Sequence, residues 1–216
     1  MTSFSRVLRL PKTRIDVGTI FQHVSRKTHT SKPLYFGANA LNRYDSPDSS
    51  YGVLYLATEL PTALMESVFH KHRWATGCAR VIAQSELDDR IVRVVGVTES
   101  FMLADLTQPS VVASVLGLNL SQLSSRRYGH TQRISAEIQG LHKNGVPSLH
   151  GLIYPSRNDP GQRCVALFDR AARRIRLLDD IPLSSHVHWP DFMSEYEVGV
   201  GPRRRSKRRS KRRSKR

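Results

Sequence analysis

The chain has 216 residues, 39% of them hydrophobic and 24% charged, which is enough for one folded domain with a substantial core. It has no apolar run near the ~20 residues that a membrane helix requires, and residues 1–16 lack the continuous apolar segment of a secretory signal. Cys78 and Cys164 are the only cysteines and both lie in apolar stretches. We therefore expect a cytoplasmic protein with two reduced, buried thiols and no disulfide framework.

The net charge of +16 comes mainly from the C-terminal end of the chain. Residues 203–216 contain 11 of the 34 Lys and Arg residues and no acid, whereas the other 23 basic and 18 acidic residues give residues 1–202 a net charge of only +5. So many like charges repel one another and bury nothing, which predicts a disordered tail. Such a tail binds nucleic acid through counterion release without sequence preference. A solvated extension without function, or a non-native terminus, is the alternative.

Alternating runs of strand and helix character predict a mixed α/β or α+β domain. We expect three helices, at 61–73, 109–117 and 131–143, and seven strands, at 18–24, 51–57, 79–84, 91–97, 150–155, 164–169 and 173–178. The Ser- and Arg-containing segment 118–130 has the composition of a mobile connection.

Prolines and glycines predict where several of these elements begin and end. Pro61 and Pro109 suit first helical turns, because the N–H group that proline lacks would be unpaired there, and the pair Asn144-Gly145 predicts the end of the third helix. Residues 199–202 have the composition of a linker. We therefore divide the chain into an N-terminal extension (1–16), one domain (17–198) and a linker with a basic tail (199–216).

Four polar residues stand in short apolar contexts: Arg43, Tyr55, Glu66 and Ser156. Tyr55 lies in a predicted buried strand, Glu66 interrupts a mostly apolar helix, and Ser156 follows the strand ending in Tyr154-Pro155. A buried carboxylate is costly unless it is paired or used, so Glu66 is the first candidate for a functional residue. Solvent exposure of Glu66 on an amphipathic helix, a surface loop for Arg43, a core position for Tyr55 and a turn for Ser156 are the structural alternatives.

These contexts resemble the RES domain family, which is named for an Arg, a Glu and a Ser. The matching segments are Asn42-Arg43-Tyr44-Asp45, then residues 51–57 with 62–66, and residues 151–157 running into 164–168. The resemblance covers roughly residues 17–180. It implies a single domain similar to the ADP-ribosyltransferase fold, and an enzyme that cleaves the nicotinamide–ribose bond of NAD by hydrolysis, phosphorolysis or ADP-ribosyl transfer.

The transition state of that cleavage is oxocarbenium-like, and this assigns roles to the matching residues. Arg43 pairs with phosphate oxygens, Glu66 stabilises the developing cation, Ser156 orients the ribose or the amide, and Tyr55 stacks on the nicotinamide or the adenine. We count Arg43, Glu66 and Ser156 as catalytic, and Arg43 and Tyr55 as substrate-binding.

Three further residues belong to the predicted substrate site. Tyr44 follows Arg43 directly, and Arg157 is either a second phosphate ligand or a partner of Asp159. His23 occupies a strand position where many RES domains carry an Arg, 20 residues before Arg43. An imidazole binds diphosphate less firmly than a guanidinium group, so His23 either contacts the ligand or is a buried structural residue.

NAD is expected as a consumed substrate and not as a resident cofactor, because the glycine-rich fingerprint of a Rossmann site is absent. No metal is predicted, since the pairs His70/His72 and His186/His188 have no acid or Cys cluster to complete a site.

The resemblance implies the toxin of a bacterial toxin–antitoxin pair, with the antitoxin as a separate chain and homodimerisation as an open possibility. Two other functions remain in competition: an inactive RES fold that binds nucleic acid through residues 203–216, and an ADP-ribosyltransferase that modifies a macromolecule.

Overall fold

The computed structural model describes residues 7–70 and 80–202, apart from positions 109, 111, 118–121, 123, 124, 126 and 160. Four α-helices lie in this part of the chain: α1 (Leu60–Ser67), α2 (Gln84–Asp88), α3 (Gly129–Gln139) and α4 (Trp189–Glu195). The twelve strands in the same part are β1 (Lys12–Ile15), β2 (Ile20–Arg26), β3 (Val53–Ala57), β4 (Arg80–Ala83), β5 (Arg90–Val97), β6 (Phe101–Asp105), β7 (His142–Lys143), β8 (Val146–Pro147), β9 (Gly151–Pro155), β10 (Arg163–Phe168), β11 (Ile175–Pro182) and β12 (Val198–Gly201).

An eight-stranded mixed sheet forms the centre of the α+β domain, with strand order β1-β6-β9-β10-β3-β2-β5-β11. Neighbouring strands are antiparallel except β6 and β9, which run parallel. Strands β4 and β12 form a separate parallel pair, and β7 and β8 form a hairpin. The fold class predicted from the sequence is therefore confirmed as a single mixed α+β domain.

Helices α1 and α3 lie on the same face of this sheet. Along β3, Val53 belongs to the apolar cluster that contains Ile134 and Ile138 of α3, and Ala57 belongs to the cluster of α1. Because side chains alternate between the two faces of a strand, Val53, Tyr55 and Ala57 point to the same side. The opposite face carries a third cluster, which includes Leu54, Leu56, Phe21, Val95 and Leu167. Tyr55 thus lies between the regions covered by α3 and by α1.

The strand register sets up a transverse row of four residues on the helix-covered face: Tyr154, Cys164, Ala57 and Gln22. Tyr154 pairs with Cys164, Cys164 pairs with Ala57, and Ala57 pairs with Gln22, on the successive strands β9, β10, β3 and β2. Directly paired residues of antiparallel strands share a face. The row therefore crosses four neighbouring strands in one line.

Helix α1 begins with Leu60, and Pro61 is its second residue, as its missing N–H group predicts. The helix buries Leu60, Ala63, Leu64 and Met65, while Glu66 stays half-buried at its edge. Aromatic rings of α4 extend the same cluster, since Phe192 lies 5.5 Å from Phe69 and stacks on Trp189 and Tyr196 at 5.8 and 4.6 Å between ring centroids.

Several expected boundaries differ from the observed ones. Helix α3 ends at Gln139, and Asn144 and Gly145 instead form the turn between β7 and β8, with φ of 53° and 76°. Positive φ at two successive residues is the geometry of a type I′ hairpin turn, which Asn-Gly favours over a helix end. Three residues of the predicted linker 199–202 belong to β12 (Val198–Gly201), which pairs with β4.

Seven elements have no counterpart in the sequence prediction: β1, β6, β7, β8, β12, α2 and α4. The predicted helix 109–117 is represented by a π-helical turn at Val112–Leu116, and α1 ends before the predicted position 73. Cys78, most of the predicted connection 118–130, and the basic tail lie outside the described residues. Within the described part of the chain, no helix is both long enough and apolar enough to cross a membrane.

Candidate active site

A cavity of about 650 Å³ lies on the helix-covered face, over the transverse row. All four residues of the row line it, together with residues of α1, the loop 41–43 and Tyr128, which directly precedes α3. Of the residues predicted from the sequence, five line this cavity: Arg43, Tyr55, Glu66, His23 and Arg157. The structure thus brings together side chains that are up to 134 positions apart in the chain.

Glu66 is held by the loop that follows β9. Its Oε1 accepts hydrogen bonds from Ser156 Oγ at 2.7 Å, from the backbone N–H groups of Arg157 and Asn158 at 2.9 and 3.1 Å, and from Asn158 Nδ2 at 3.2 Å. All four hydrogen bonds end on Oε1, and no described residue donates a hydrogen bond to Oε2. One oxygen therefore fixes the carboxylate, and the other has its hydrogen-bonding capacity left for a ligand.

Ser156 supports this carboxylate and does not itself line the cavity. Its hydroxyl donates to Glu66 and accepts from the backbone N–H groups of Asn158 and Asp159 at 3.3 and 3.0 Å. Asn158 closes the arrangement by donating from Nδ2 to the Met65 carbonyl at 3.2 Å. The hydroxyl of Ser156 therefore acts on the position of Glu66, whereas the sequence assigned it a direct contact with substrate.

Asp45 shapes the loop that carries Arg43. Its Oδ2 accepts hydrogen bonds from Leu41 N at 3.0 Å and from Asn42 N and Nδ2 at 2.8 and 3.1 Å, and its Oδ1 accepts from Tyr55 Oη at 2.9 Å. The side chain of Asp45 is fully buried, so these bonds form away from competing water. Asp45 thereby ties the loop to β3.

Arg43 projects from this loop into the cavity wall and is 9% exposed. Its guanidinium carbon lies 5.6 Å from the ring centre of Tyr154 and 5.9 Å from that of Tyr44, within the range of cation–π attraction. Burial alone would lower the pKa of Arg43, but Tyr44, Tyr154 and the Glu66 carboxylate raise it on balance. The nitrogen Nη2 is buried and has no hydrogen-bond partner among the described residues.

The two tyrosines predicted to bind substrate occupy different places. Tyr55 lines the cavity with its ring, while its hydroxyl donates to Asp45 and accepts from Tyr44 N at 2.9 Å. Burial raises the pKa of Tyr55 well above its ordinary value, so the phenol keeps its proton. Tyr44 is only 1% exposed and packs on Tyr154 at 4.6 Å between ring centroids. Tyr44 therefore supports the wall behind Arg43 and does not line the cavity.

His23 reaches the cavity where β2 and β3 separate, since these two strands pair only at Gln22 and Ala57 among the described residues. Its Nδ1 lies 2.9 Å from the Tyr55 carbonyl oxygen. A carbonyl can only accept, so Nδ1 carries the proton and Nε2 carries a lone pair. Burial lowers the pKa of His23 to about 4, with the charge of Arg93 acting in the same direction. The imidazole is therefore neutral at neutral pH and is a hydrogen-bond acceptor, not a phosphate-binding cation.

The two expectations for Arg157 are a ligand contact and an ion pair with Asp159. Asp159 accepts hydrogen bonds from Thr62 at 3.3 Å and Tyr196 at 3.2 Å, and within the described chain no ion pair joins it to Arg157. Arg157 lines the cavity, and its Nη1 is buried without a hydrogen-bond partner in the described part of the protein. Its position therefore favours a ligand contact over an ion pair with Asp159.

Sequence reasoning missed four residues of this region: Asp45, Asn158, Gln22 and Tyr128. Asp45 and Asn158 have a sequence signal, because each stands within three residues of a predicted site residue and such polar side chains often bind local backbone N–H groups. Gln22 and Tyr128 have none, since their place on the cavity wall depends on strand pairing and helix placement.

Cysteine and metal chemistry find little support among the described residues. Cys164 lies in the transverse row, but burial raises the pKa of its thiol well above the ordinary value, which disfavours a thiolate nucleophile. The prediction that Cys164 is buried is confirmed. No group of three or more His, Cys, Asp or Glu side chains in the described chain has an arrangement that could hold a metal ion.

The cavity is thus lined by one carboxylate residue with a fixed position, Glu66, and by two arginines, Arg43 and Arg157. Such an arrangement can bind an anionic part of a ligand while a carboxylate oxygen faces a developing positive charge on the same molecule.

The sequence profile described as the RES domain matches residues 17–188. The chain belongs to the RES domain family. Its fold is also similar to that of a chain in the crystal structure of the M. tuberculosis MbcT–MbcA toxin–antitoxin complex, with a TM-score of 0.61 and 15% sequence identity over 89% of this chain and 95% of that chain. No curated protein sequence matches the chain.

Proposed function

We propose that this RES domain consumes NAD by breaking the bond between the nicotinamide nitrogen and ribose C1′. One observation carries the proposal: Glu66 lines the same cavity as Arg43 and Arg157, and each of these arginines has a buried guanidinium nitrogen without a hydrogen-bond partner among the described residues. NAD is a substrate that presents a diphosphate and a cationic pyridinium ring about one ribose apart. The cavity offers a cationic region and a carboxylate to match them.

In the proposed reaction the C1′–N bond breaks and its electron pair stays on the nicotinamide nitrogen. Neutral nicotinamide leaves, and positive charge spreads over C1′ and the ribose ring oxygen. The Glu66 carboxylate stabilises that charge, because its position is already fixed before substrate binds. An acceptor then forms a new bond to C1′: water after loss of a proton, inorganic phosphate, or a nucleophile on a macromolecule.

The other residues of the cavity bind and position the substrate in this proposal. Arg43 and Arg157 pair with diphosphate oxygens, which supplies the hydrogen-bond acceptors that their buried nitrogens lack. The ring of Tyr55 packs against the substrate while its hydroxyl stays bonded to Asp45. Ser156 holds Glu66 and therefore acts through it.

A direct test is to incubate the purified protein with NAD, with and without inorganic phosphate, and to identify the products. We expect release of nicotinamide in both cases. ADP-ribose as the second product indicates water as the acceptor, ADP-ribose 1″-phosphate indicates phosphate, and a labelled macromolecule indicates transfer. Absence of nicotinamide release at high protein concentration would contradict the proposed function.

We extend the proposal to the biological role of a toxin that a separate antitoxin protein neutralises. Membership of the RES domain family and the fold similarity to a chain of a toxin–antitoxin complex support this role. Induced expression in a bacterial host is expected to lower cellular NAD and arrest growth, whereas the Glu66→Gln variant is expected to do neither. Equal growth arrest by both proteins would assign the toxicity to another part of the chain, and deletion of residues 203–216 then tests the basic tail.

A further inference from the structure

Gln22 lines the cavity and carries an unsatisfied hydrogen-bond acceptor. Its Oε1 is buried and accepts no hydrogen bond from any described residue, although the side chain lines the cavity wall. A buried polar atom without a partner is unfavourable and rare in folded proteins. On a cavity wall, such an atom is a natural contact for a hydrogen-bond donor of the ligand.

His23, the next residue, also lines the cavity. Its Nδ1–H group donates to the Tyr55 carbonyl, so Nε2 of the neutral ring carries the lone pair. The low pKa of His23, about 4, keeps this ring neutral at neutral pH. Gln22 and His23 therefore bring two uncharged side chains to this end of the cavity.

The opposite end of the transverse row is cationic. Arg43 lies over Tyr154, the first residue of the row, and Gln22 is the last. Three strand spacings separate the Cα atoms of Tyr154 and Gln22, which is about 14 Å. The cavity therefore suits a ligand with an anionic group at one end and N–H donors at the other.

Helix α1 stands between these two ends. It follows β3 directly, its Ala63 packs in the same cluster as Ala57 of the row, and its Glu66 bonds to the loop after β9. If C1′ lies beside Glu66 and the diphosphate lies beside Arg43, the group on the side of Glu66 away from Arg43 is the one attached to C1′. In NAD that group is the nicotinamide ring, whereas the adenosine lies on the far side of the diphosphate.

We propose that Gln22 accepts a hydrogen bond from the carboxamide N–H₂ group of nicotinamide and so makes the cavity selective for a 3-carboxamide pyridinium. This inference rests on the proposed cleavage of NAD and adds a specificity residue to it. Gln22 selects the leaving group and takes no part in bond breaking.

The test compares NAD with its 3-acetylpyridine analogue, in which a methyl group replaces the carboxamide nitrogen. The two substrates differ in intrinsic reactivity, so the informative quantity is the ratio of their kcat/KM values and the change of that ratio between proteins. Gln22→Met keeps the length of the side chain and removes its hydrogen-bonding groups. We expect the NAD preference to fall by about tenfold or more in Gln22→Met, because a site built to bind a donor discriminates strongly against an analogue that lacks it.

Two controls make the result specific. Gln84→Met makes the same chemical change at a residue whose amide bonds to Asp88 outside the cavity, and it is expected to leave the ratio unchanged. Deamino-NAD, which lacks the adenine amino group, tests the other amine of the substrate. If Gln22→Met changes the preference for NAD over deamino-NAD and not that over the acetylpyridine analogue, Gln22 faces adenine and the inference is overturned.

The apo protein provides a readout that does not depend on turnover. Gln22→Met removes an unsatisfied buried oxygen, so its melting temperature is expected to equal or exceed that of the wild type. A clear fall in melting temperature for both Gln22→Met and a second variant, Gln22→Leu, would mean that Gln22 is structural and would contradict the inference.

The failure of the inference is distinguishable from the failure of the proposed function. If the wild type cleaves NAD and Gln22→Met leaves the substrate ratio unchanged, only the role of Gln22 is wrong. If the wild type neither binds NAD nor releases nicotinamide, the proposed function is wrong and the inference is overturned with it.

Discussion

The loop after β9 holds Glu66 with four hydrogen bonds, whereas Arg43 and Arg157 on the same cavity each keep a buried nitrogen without a partner among the described residues. The carboxylate end is organised by the protein alone. The guanidinium end is organised only in part, since Arg43 rests on Tyr44 and Tyr154 but its Nη2 remains unsatisfied.

This difference indicates how the two ends act in the proposed reaction. A group fixed before substrate binds contributes electrostatic stabilisation without reorganisation in the transition state. A group that lacks partners in the free protein forms its interactions when the ligand arrives, and those interactions exist already in the ground-state complex. We therefore expect changes at Glu66 to affect kcat most strongly and changes at the arginines to affect binding as well.

Glu66→Gln is expected to have the largest effect. The amide oxygen still accepts from Ser156 and from the backbone N–H groups of Arg157 and Asn158, so the fold and NAD binding are retained. Loss of the negative charge is expected to lower kcat by on the order of 10² or more. Steady-state kinetics and calorimetric titration with NAD measure the two effects separately. A small change in kcat would show that the carboxylate has no role in the chemical step.

Arg43→Ala is expected to lower kcat/KM by about tenfold or more, with weaker NAD binding as part of the loss, because a phosphate contact exists in the ground state. Arg43→Lys keeps the charge and loses the planar fork, so it is expected to recover only part of the activity. Arg157→Ala serves as the matched variant at the second arginine that lines the cavity. Unchanged NAD affinity in both alanine variants would contradict a phosphate-binding role for the cationic end.

Asp45→Asn tests whether the loop under Arg43 depends on its buried carboxylate. Three N–H groups donate to Oδ2 and the Tyr55 hydroxyl donates to Oδ1. Replacement of either oxygen by an amide NH₂ group removes a hydrogen-bond acceptor and places a donor against these donors. We expect the free energy of unfolding to fall by about 1–3 kcal/mol and KM for NAD to rise. Asp48→Asn in the following turn, which is exposed, is the control for a general effect of charge removal. Equal effects of both substitutions would argue against a specific role for Asp45.

The smallest expected effect is the pH dependence of stability that His23 contributes. Its pKa is lowered in the folded state from 6.5 to about 4, so the unfolded chain binds the proton more readily. The contribution of His23 is therefore fully present above pH 6.5 and is lost as the pH falls toward 4. Between pH 7 and 5.5 we expect a loss of about 1 kcal/mol.

Burial also lowers the pKa of His150 and His186, so these residues contribute to the same pH dependence. A comparison of variants is therefore needed to isolate the contribution of His23. His23→Gln is expected to flatten the pH dependence of the unfolding free energy in that range, whereas His130→Gln, at an exposed position, is expected to leave it unchanged. Identical pH profiles for the wild type and His23→Gln would mean that the imidazole is not held neutral by the fold.

The sequence alone determined the α+β class, most strands of the central sheet and the candidates Arg43, Glu66 and Tyr55. Runs of β-branched and aromatic residues predict strands, and a carboxylate inside an apolar helix marks a candidate functional residue. The resemblance to the RES domain family supports the assignment of all three residues to a site. Arg43, Glu66 and Tyr55 were therefore candidates before the fold was known.

Only the tertiary structure decided which neighbouring residue faces the cavity. Tyr44 and Tyr55 look alike as aromatic residues near Arg43, yet Tyr44 is buried behind it and Tyr55 lines the wall. Gln22 carries no local signal, because its place depends on pairing with Ala57 across two strands that are 35 positions apart. Strand register and long-range packing set these positions, and a shift of one residue would turn each side chain to the other face of the sheet.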